Sequence, residues 1–357
     1  MSQPTAGEPR LLHDVIARRA RQQPHRVALW WRGAGITYAA LQQRIQALAG
    51  RLAARGEPGE RVAVLAWNRP EFIELIYAAA ASGRILVPLN TRLAPPEWHY
   101  QLQRAGVSTL IGEPELLGAL RRHTRLPGAL EIIELGAHYG RWLTQQPPAP
   151  LPRGNSDDPV WILFTSGSTG RPKGAVLTHA SILAGLRSAA LGRPVLADDR
   201  YFYPFPLFHI AAHNVLLQHL FGAAVVLAER FDAAQTLRAC RELGITTLSL
   251  APTMLAMLLD CADFSSADLH TVRTIGYGAS AMPQTLLLRL LRETSVNLCQ
   301  GYGMTELSGS IAFLTPDDHA LAVSGQPHLL QSVGRPLPGV DVRLVDDAGA
   351  ACASGAA

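Results

Sequence analysis

One residue is unique in this chain of 357 amino acids: Lys173 is its sole lysine, set among 32 basic residues. A coding bias that exchanges lysine for arginine wherever either serves would leave lysine only where a compact ammonium is needed instead of a planar fork. Lys173 falls in Thr165-Ser-Gly-Ser-Thr-Gly170-Arg-Pro-Lys173-Gly174. Glycines at Gly167, Gly170 and Gly174 let the backbone approach a ligand closely and turn its N–H groups inward as an anion-binding nest. The hydroxyls of Thr165, Ser166, Ser168 and Thr169 add donors suited to phosphate oxygens, and Lys173 adds mobile positive charge. Glycine and serine alone would equally describe a surface loop. The apolar strand pattern Val160-Trp-Ile-Leu-Phe-Thr165 that feeds the loop, and the lone lysine inside it, favour phosphate binding. The loop is not a Walker A sequence, because no Gly-Lys-Ser/Thr opens a helix; that counts against a P-loop kinase or ATPase.

Three further segments carry candidate chemistry. In Asn297-Leu-Cys-Gln300-Gly301-Tyr302-Gly303-Met-Thr305-Glu306, a strand pattern runs into a tyrosine flanked by glycine on both sides. Tyr302 can present a ring face to a flat base, Thr305 can donate to a phosphate, and Glu306 is a hard oxygen ligand suited to Mg²⁺ beside phosphates. Taken alone, these residues would also suit an ordinary turn. Ile275-Gly276-Tyr277-Gly278-Ala279-Ser280 ends another strand pattern, and ligands of open α/β sheets bind outside the carboxyl ends of strands. Tyr203-Pro-Phe205-Pro-Leu-Phe208-His209 precedes an apolar helical stretch from Ile210 to Phe221. Among aromatics and aliphatics the His209 ring is favoured neutral, and it reads as readily as a packed core residue as a ligand contact.

The elements that must position these residues follow a regular beat. Strand patterns at 61–68, 85–89, 108–111, 224–228, 246–250 and 272–275 alternate with helical patterns at 70–81, 95–105, 232–243, 252–261 and 282–293. Strands separated by such helices imply βαβ units, parallel sheets with covered faces and an α/β fold. Prolines and turn formers from Pro147 to Pro159 mark a linker. The stretch 332–357 turns irregular and reads as the beginning of a β-rich region, or simply as a tail.

Composition narrows the class. Apolar residues make up 48% and charged residues 17%, which excludes a disordered, collagen-like or disulfide-framework protein. A net charge of +4 spread over this length does not point to nucleic acid. Cys240, Cys261, Cys299 and Cys352 show no CxxC pair and no metal-ligand spacing, the pattern of reduced thiols. No signal-peptide pattern opens the chain, and the apolar stretch 75–89, broken by Ser82, Gly83 and Arg84, is too short to span a bilayer. The expectation is a cytoplasmic protein.

Thr165 to Gly174 and Tyr302-Gly-Met-Thr-Glu306 closely resemble signature motifs of the ANL superfamily, which holds acyl-CoA synthetases, peptide-synthetase adenylation domains and firefly-type luciferases. Phe205 to His209, Gly276 to Ser280 and Ser332-Val-Gly-Arg-Pro-Leu-Pro-Gly339 match in the same order, so the resemblance covers nearly the whole chain. It implies two similar αβ subdomains, 1–195 with the phosphate loop and 196–331 with the acyl and adenine pocket. The start of a β-barrel subdomain would follow at 332–357. The resemblance also implies ATP-dependent activation of a carboxylic acid to an acyl-adenylate, with Mg²⁺, and transfer to coenzyme A in the full-length enzyme.

Carried over by position, the 165–174 loop with Lys173 would hold the β- and γ-phosphates, Tyr302 would stack on adenine and Thr305 would contact the α-phosphate. Glu306 would help hold Mg²⁺. Gly278, Ala279, Ser280, Gln300 and Gly301 would line the nucleotide site. His209, Ile210, Ala211, Tyr277, Gly278 and Gly303 would line the acyl site, with His209 where acid meets nucleotide.

The sequence departs from the family pattern at its end. The Thr-Gly-Asp motif that holds the ribose is absent, and so is the small carboxy-terminal domain with its lysine, since no lysine follows Lys173. The expectation is a large amino-terminal domain ending inside its β-barrel subdomain, able to bind nucleotide or adenylate but poor in turnover by itself. A non-catalytic nucleotide- or adenylate-binding module remains an alternative. So does an amino-acid-activating domain, but Phe208-His-Ile-Ala-Ala-His213 lacks the aspartate that pairs with a substrate amine, and an ammonium buried without a partner is costly. A fatty or aryl acid fits better.

Overall fold

The structure, a computed structural model, describes residues 8–126, 128–144, 149–166, 171–353 and 355. Gly167, Ser168, Thr169 and Gly170 of the candidate phosphate loop, and Pro147 and Pro148 of the linker, lie outside the described residues.

A helix at Asp14–Gln22 leads into a hairpin of β1 (Val27–Trp31) and β2 (Ala34–Thr37). The next six strands are β3 (Arg61–Leu65), β4 (Ile85–Pro88), β5 (Val107–Gly112), β6 (Glu131–Glu134), β7 (Pro159–Thr165) and β8 (Lys173–Thr178). They form one sheet in the order β6-β5-β3-β4-β7-β8, parallel except for the β7–β8 hairpin. The remaining strands are β9 (Arg200–Tyr203), β10 (Ala224–Leu227), β11 (Thr247–Leu250), β12 (Thr274–Gly278), β13 (Asn297–Met304), β14 (Gly309–Leu314) and β15 (Arg335–Pro336). With the opening hairpin they make a second sheet in the order β15-β14-β13-β12-β11-β9-β10-β1-β2. Its centre, from β1 to β13, is parallel.

Local sequence accounts for most of these elements. Helices at Pro70–Ala81, Pro95–Ala105 and Pro252–Leu259 each begin on a proline, whose fixed φ and missing N–H suit the first turn. The helix at Pro70–Ala81 is apolar nearly all round and is buried along its length apart from Glu71, as its position between the sheets requires. Its Glu74 meets Arg44 at 2.7 Å, but burial pushes the Glu74 carboxyl up to about 7. Strand β12 runs further than the pattern at 272–275 suggests, from Thr274 to Gly278, and the stretch from Ile210 opens as a 3₁₀ turn before the helix His213–Phe221.

Sheet membership does not follow a division of the chain at 195. β1 pairs in parallel with β10 through Leu29 and Val225, so the opening hairpin belongs to the second sheet. The physical reason is the apolar run Val27-Ala-Leu-Trp-Trp31, which suits a strand covered on both faces and finds that place beside β10. Beyond 331, β15 closes the edge against β14, and Val345 and Ala351 form an isolated bridge. One apolar cluster joins both halves: Phe72 and Ile76, Ile182 and Leu186, and Val215 and Leu216 pack together from three helices. Cys240, Cys261, Cys299 and Cys352 are all free thiols. No helix of the described residues is long and apolar enough to cross a membrane.

Candidate active site

Three strand ends converge as the sequence patterns suggest. Thr165 and Ser166 at the end of β7, Gly276 to Ala279 at the end of β12, and Gly301 with Gly303 to Glu306 in the β13 region all face one cavity of about 490 Å³. A second cavity of about 500 Å³ lies on the other side of Thr165, Ser166, His209, Ile210 and Thr305, which line both. The two spaces meet at those five residues, so a ligand could have one part in each and its reactive atoms between.

Glycine makes the convergence possible. A Cβ at Gly303 would overlap the Gly309 carbonyl across the β13–β14 hairpin, and one at Gly278 would overlap the Gly301 carbonyl of the neighbouring strand. Between them Ala279 takes a left-handed conformation with φ of 68°, an uncommon geometry for a residue with a side chain. It turns the chain sharply at the cavity wall.

His209 caps the 3₁₀ turn at Ile210–Ala212: its Nδ1 accepts from the Ala211 amide at 3.2 Å. That bond requires an unprotonated Nδ1. Desolvation within the cleft, with repulsion from Arg92, holds the ring below the usual imidazole range, so His209 lines both cavities as a neutral ring. The segment before it is clamped by Asn68. The Asn68 side-chain amide donates to the carbonyls of Phe205 at 2.7 Å and Ala228 at 2.9 Å, and its oxygen accepts from Leu207 N at 2.8 Å.

Thr305, 9% exposed, opens a 3₁₀ turn that follows β13, and Glu306 beside it accepts a 3.0 Å hydrogen bond from Thr165 Oγ1. Among the described residues no group of three or more histidine, cysteine or carboxylate side chains is placed to hold a metal. A single accessible carboxylate nevertheless fits Mg²⁺, which keeps several waters and binds through one or two carboxylates plus substrate phosphates.

Other sequence candidates are placed less centrally. Lys173 is exposed at the start of β8, opposite Thr165 in the register. Tyr302 is 50% exposed, and neither it nor Ser280 nor Gln300 is among the residues that line the main cavity. Ile210, Ala211, Tyr277, Gly278 and Gly303 do line it. The Tyr277 hydroxyl is occupied on its far side by His319 Nε2 at 2.8 Å, leaving its ring as wall. Sequence reading passed over Asn68, and it also passed over Arg193, Ser249 and Asn214, which line the cavity. None of these sits in a glycine-marked loop, so no local pattern distinguishes it.

The profile of the AMP-binding enzymes matches residues 16–357. The chain belongs to this family. Within the family, a feruloyl-CoA synthase from Amycolatopsis is 35% identical over 338 residues, covering 93% of this chain and 65% of that protein. The chain therefore spans about two thirds of the length of this curated relative. Among solved structures, the amino-terminal domain of FACL13 from Mycobacterium tuberculosis superposes with a TM-score of 0.87 at 28% identity, covering 96% of this chain and 86% of that one. An O-succinylbenzoate coenzyme A synthetase from Bacillus subtilis, in complex with ATP and magnesium ion, superposes with a TM-score of 0.82 at 27% identity, over 95% and 68% of the two chains. The fold is that of the family's amino-terminal domain.

Proposed function

We propose that this chain supplies the nucleotide and acyl sites of an ATP-dependent enzyme that activates a carboxylic acid, fatty or aryl, as its acyl-adenylate. In the whole protein the acyl group then passes to coenzyme A. The observation that carries this reading is the pair of cavities that meet at Thr165, His209 and Thr305. The relatives that act on feruloyl, fatty and succinylbenzoyl acids support the same class.

In the reaction a carboxylate oxygen attacks the α-phosphorus of ATP. An O–P bond forms, the bond to the β-phosphate bridging oxygen breaks, and pyrophosphate leaves with that electron pair. Such a step depends on positioning and charge stabilisation, which this site supplies with fixed donors. Thr305 and the neutral His209 contact the α-phosphate and the attacking carboxylate, and Lys173 with the 165–174 loop holds the departing pyrophosphate. Glu306, oriented by Thr165, would hold Mg²⁺, which when bound neutralises phosphate charge. Phe205, Ile210, Leu250 and Phe313 give the acyl portion a largely apolar wall that excludes water.

Amino-acid activation is disfavoured by the same wall. Its only acidic residue among those described is Glu306, at the phosphate end, so a substrate ammonium would find no partner deeper in. The test is calorimetric titration with adenosine sulfamates, non-hydrolysable mimics of the adenylate. Binding of octanoyl or benzoyl forms over an aminoacyl form is expected; folded protein that binds none of them would overturn the proposal.

A further inference from the structure

The main cavity holds a positive charge that is paired with no carboxylate among the described residues. Arg193, which ends the helix His179–Gly192, lines the cavity and is 9% exposed. Its Nη1 donates to Ser249 Oγ at 2.5 Å and its Nη2 to Asn214 Oδ1 at 2.6 Å, and its guanidinium carbon lies 5.7 Å from the centre of the Tyr201 ring. All three are neutral. None of the ion pairs among the described residues includes Arg193. Arg84, fully buried, shows the contrast: its guanidinium meets Glu60 at 3.3 Å. A guanidinium stays charged at any physiological pH, and burying it without an anion is costly.

Two details aim this charge at a ligand. A Cβ at Gly276 would overlap Arg193 Nη1, so the absence of a side chain there gives the guanidinium its place over β12. Gly276 lies two residues inside the strand from Gly278, which sets the charge about 6–7 Å deeper than the strand end at the ordinary rise per residue. Asn214, whose oxygen holds Arg193, donates its own amide to the Ala211 carbonyl at 3.1 Å. The deep guanidinium and the turn beside His209 are thus tied by one side chain.

We propose that Arg193 determines substrate choice, and that the acid activated here carries a second carboxylate at the far end of a short, apolar chain or ring, which docks on the Arg193 guanidinium. This rests on the adenylate-forming reading above. The second carboxylate supplies the missing counter-charge, the apolar wall receives the middle of the molecule, and the first carboxylate lies at the junction by His209.

The test is calorimetric titration of three adenosine sulfamates, acetyl, hexanoyl and 5-carboxypentanoyl, into the protein and its Arg193→Met variant. The carboxyl-tipped form is expected to bind about tenfold tighter than the hexanoyl form or better, and Arg193→Met to reverse that order while weakening acetyl binding far less than it weakens the carboxyl-tipped form. Without ligand, Arg193→Met is expected to melt close to the parent, because relief of an uncompensated buried charge offsets the hydrogen bonds lost at Ser249 and Asn214. Should that variant not fold, Arg193→Lys keeps the charge and is expected to retain a reduced preference. Equal binding of the hexanoyl and carboxyl-tipped forms by the parent would overturn this proposal and leave the adenylate site standing. A uniform loss with all three ligands and a lowered melting point in Arg193→Met would make Arg193 a structural strut and overturn it too. If not even the acetyl form binds, the adenylate reading fails and this inference with it.

Discussion

Thr165 donates a 3.0 Å hydrogen bond to Glu306 across 141 residues of chain. The donor ends β7 of the six-stranded sheet, and the acceptor follows β13 of the nine-stranded sheet. The two halves of the molecule therefore meet through a pair of side chains at the point where phosphate and metal are expected. The carboxylate's orientation depends on how the sheets are set against each other.

Thr165→Val removes that bond while nearly preserving shape. A hydrogen bond to a charged group is worth about 1.5–3 kcal/mol, so pyrophosphate exchange in the intact protein should fall about 10–100-fold with little change in melting point. Combined with Glu306→Gln, the loss should be less than the product of the two single losses. Full additivity would mean that the two residues act separately.

Asn68→Leu should displace the segment that carries His209. It leaves the Phe205 and Ala228 carbonyls and the Leu207 amide without their partner in a buried place, a cost of about 3 kcal/mol. Melting temperature should drop, and adenosine sulfamate affinity should fall beyond what partial unfolding explains. Unchanged affinity would show that the segment is held by packing alone.

Gly303→Ala forces a methyl group into the Gly309 carbonyl, and the backbone there can move only by opening the β13–β14 hairpin. Overpacking of this kind costs about 1–3 kcal/mol or more. Thermal unfolding in the presence and absence of an acyl sulfamate should show a lower melting point and a lost ligand-induced shift.

Acid should destabilise the fold above the pH at which ordinary carboxylates titrate. Burial lowers His179, His213 and His219 to about 4, so from pH 6.5 downward the unfolded chain takes up protons that the native state refuses. Each contributes a loss of about 2 kcal/mol by pH 5. Glu74, raised to about 7, works in the opposite sense, because the native state binds its proton first as pH falls. The net expectation is a loss of about 3–4 kcal/mol between pH 7 and pH 5, read from urea midpoints at the two values. A midpoint that stays constant would show that these imidazoles remain hydrated.

Part of the cavity wall was legible because its pattern is local. Thr165 and Ser166 at the end of β7, the glycines on either side of Tyr302, Gly278 beside Ala279, and the proline-initiated helices all follow from residue types at fixed offsets. What escaped depends on contacts distant in sequence. The return strand β14 follows a turn in which Ser308, not glycine, takes the left-handed conformation, so no hairpin signature marks it. Asn68 acts on segments 137 and 160 residues away, and Arg193 matters only because Gly276, Ser249 and Asn214 are folded against it.

The opening hairpin imposes an order on biosynthesis. Ala28 in β1 accepts from His219, 191 residues downstream, and the edge that receives β1 is β10, made later still. As the protein leaves the ribosome, an apolar ribbon with tryptophans at its tip must stay unpaired on that edge until β10 has followed. During that interval its neighbouring helices at 38–53 and 70–81 can collapse onto the first sheet without it. Quality-control factors that recognise exposed aromatic strands would find their target in this hairpin, and any pause in translation before residue 224 would prolong its exposure.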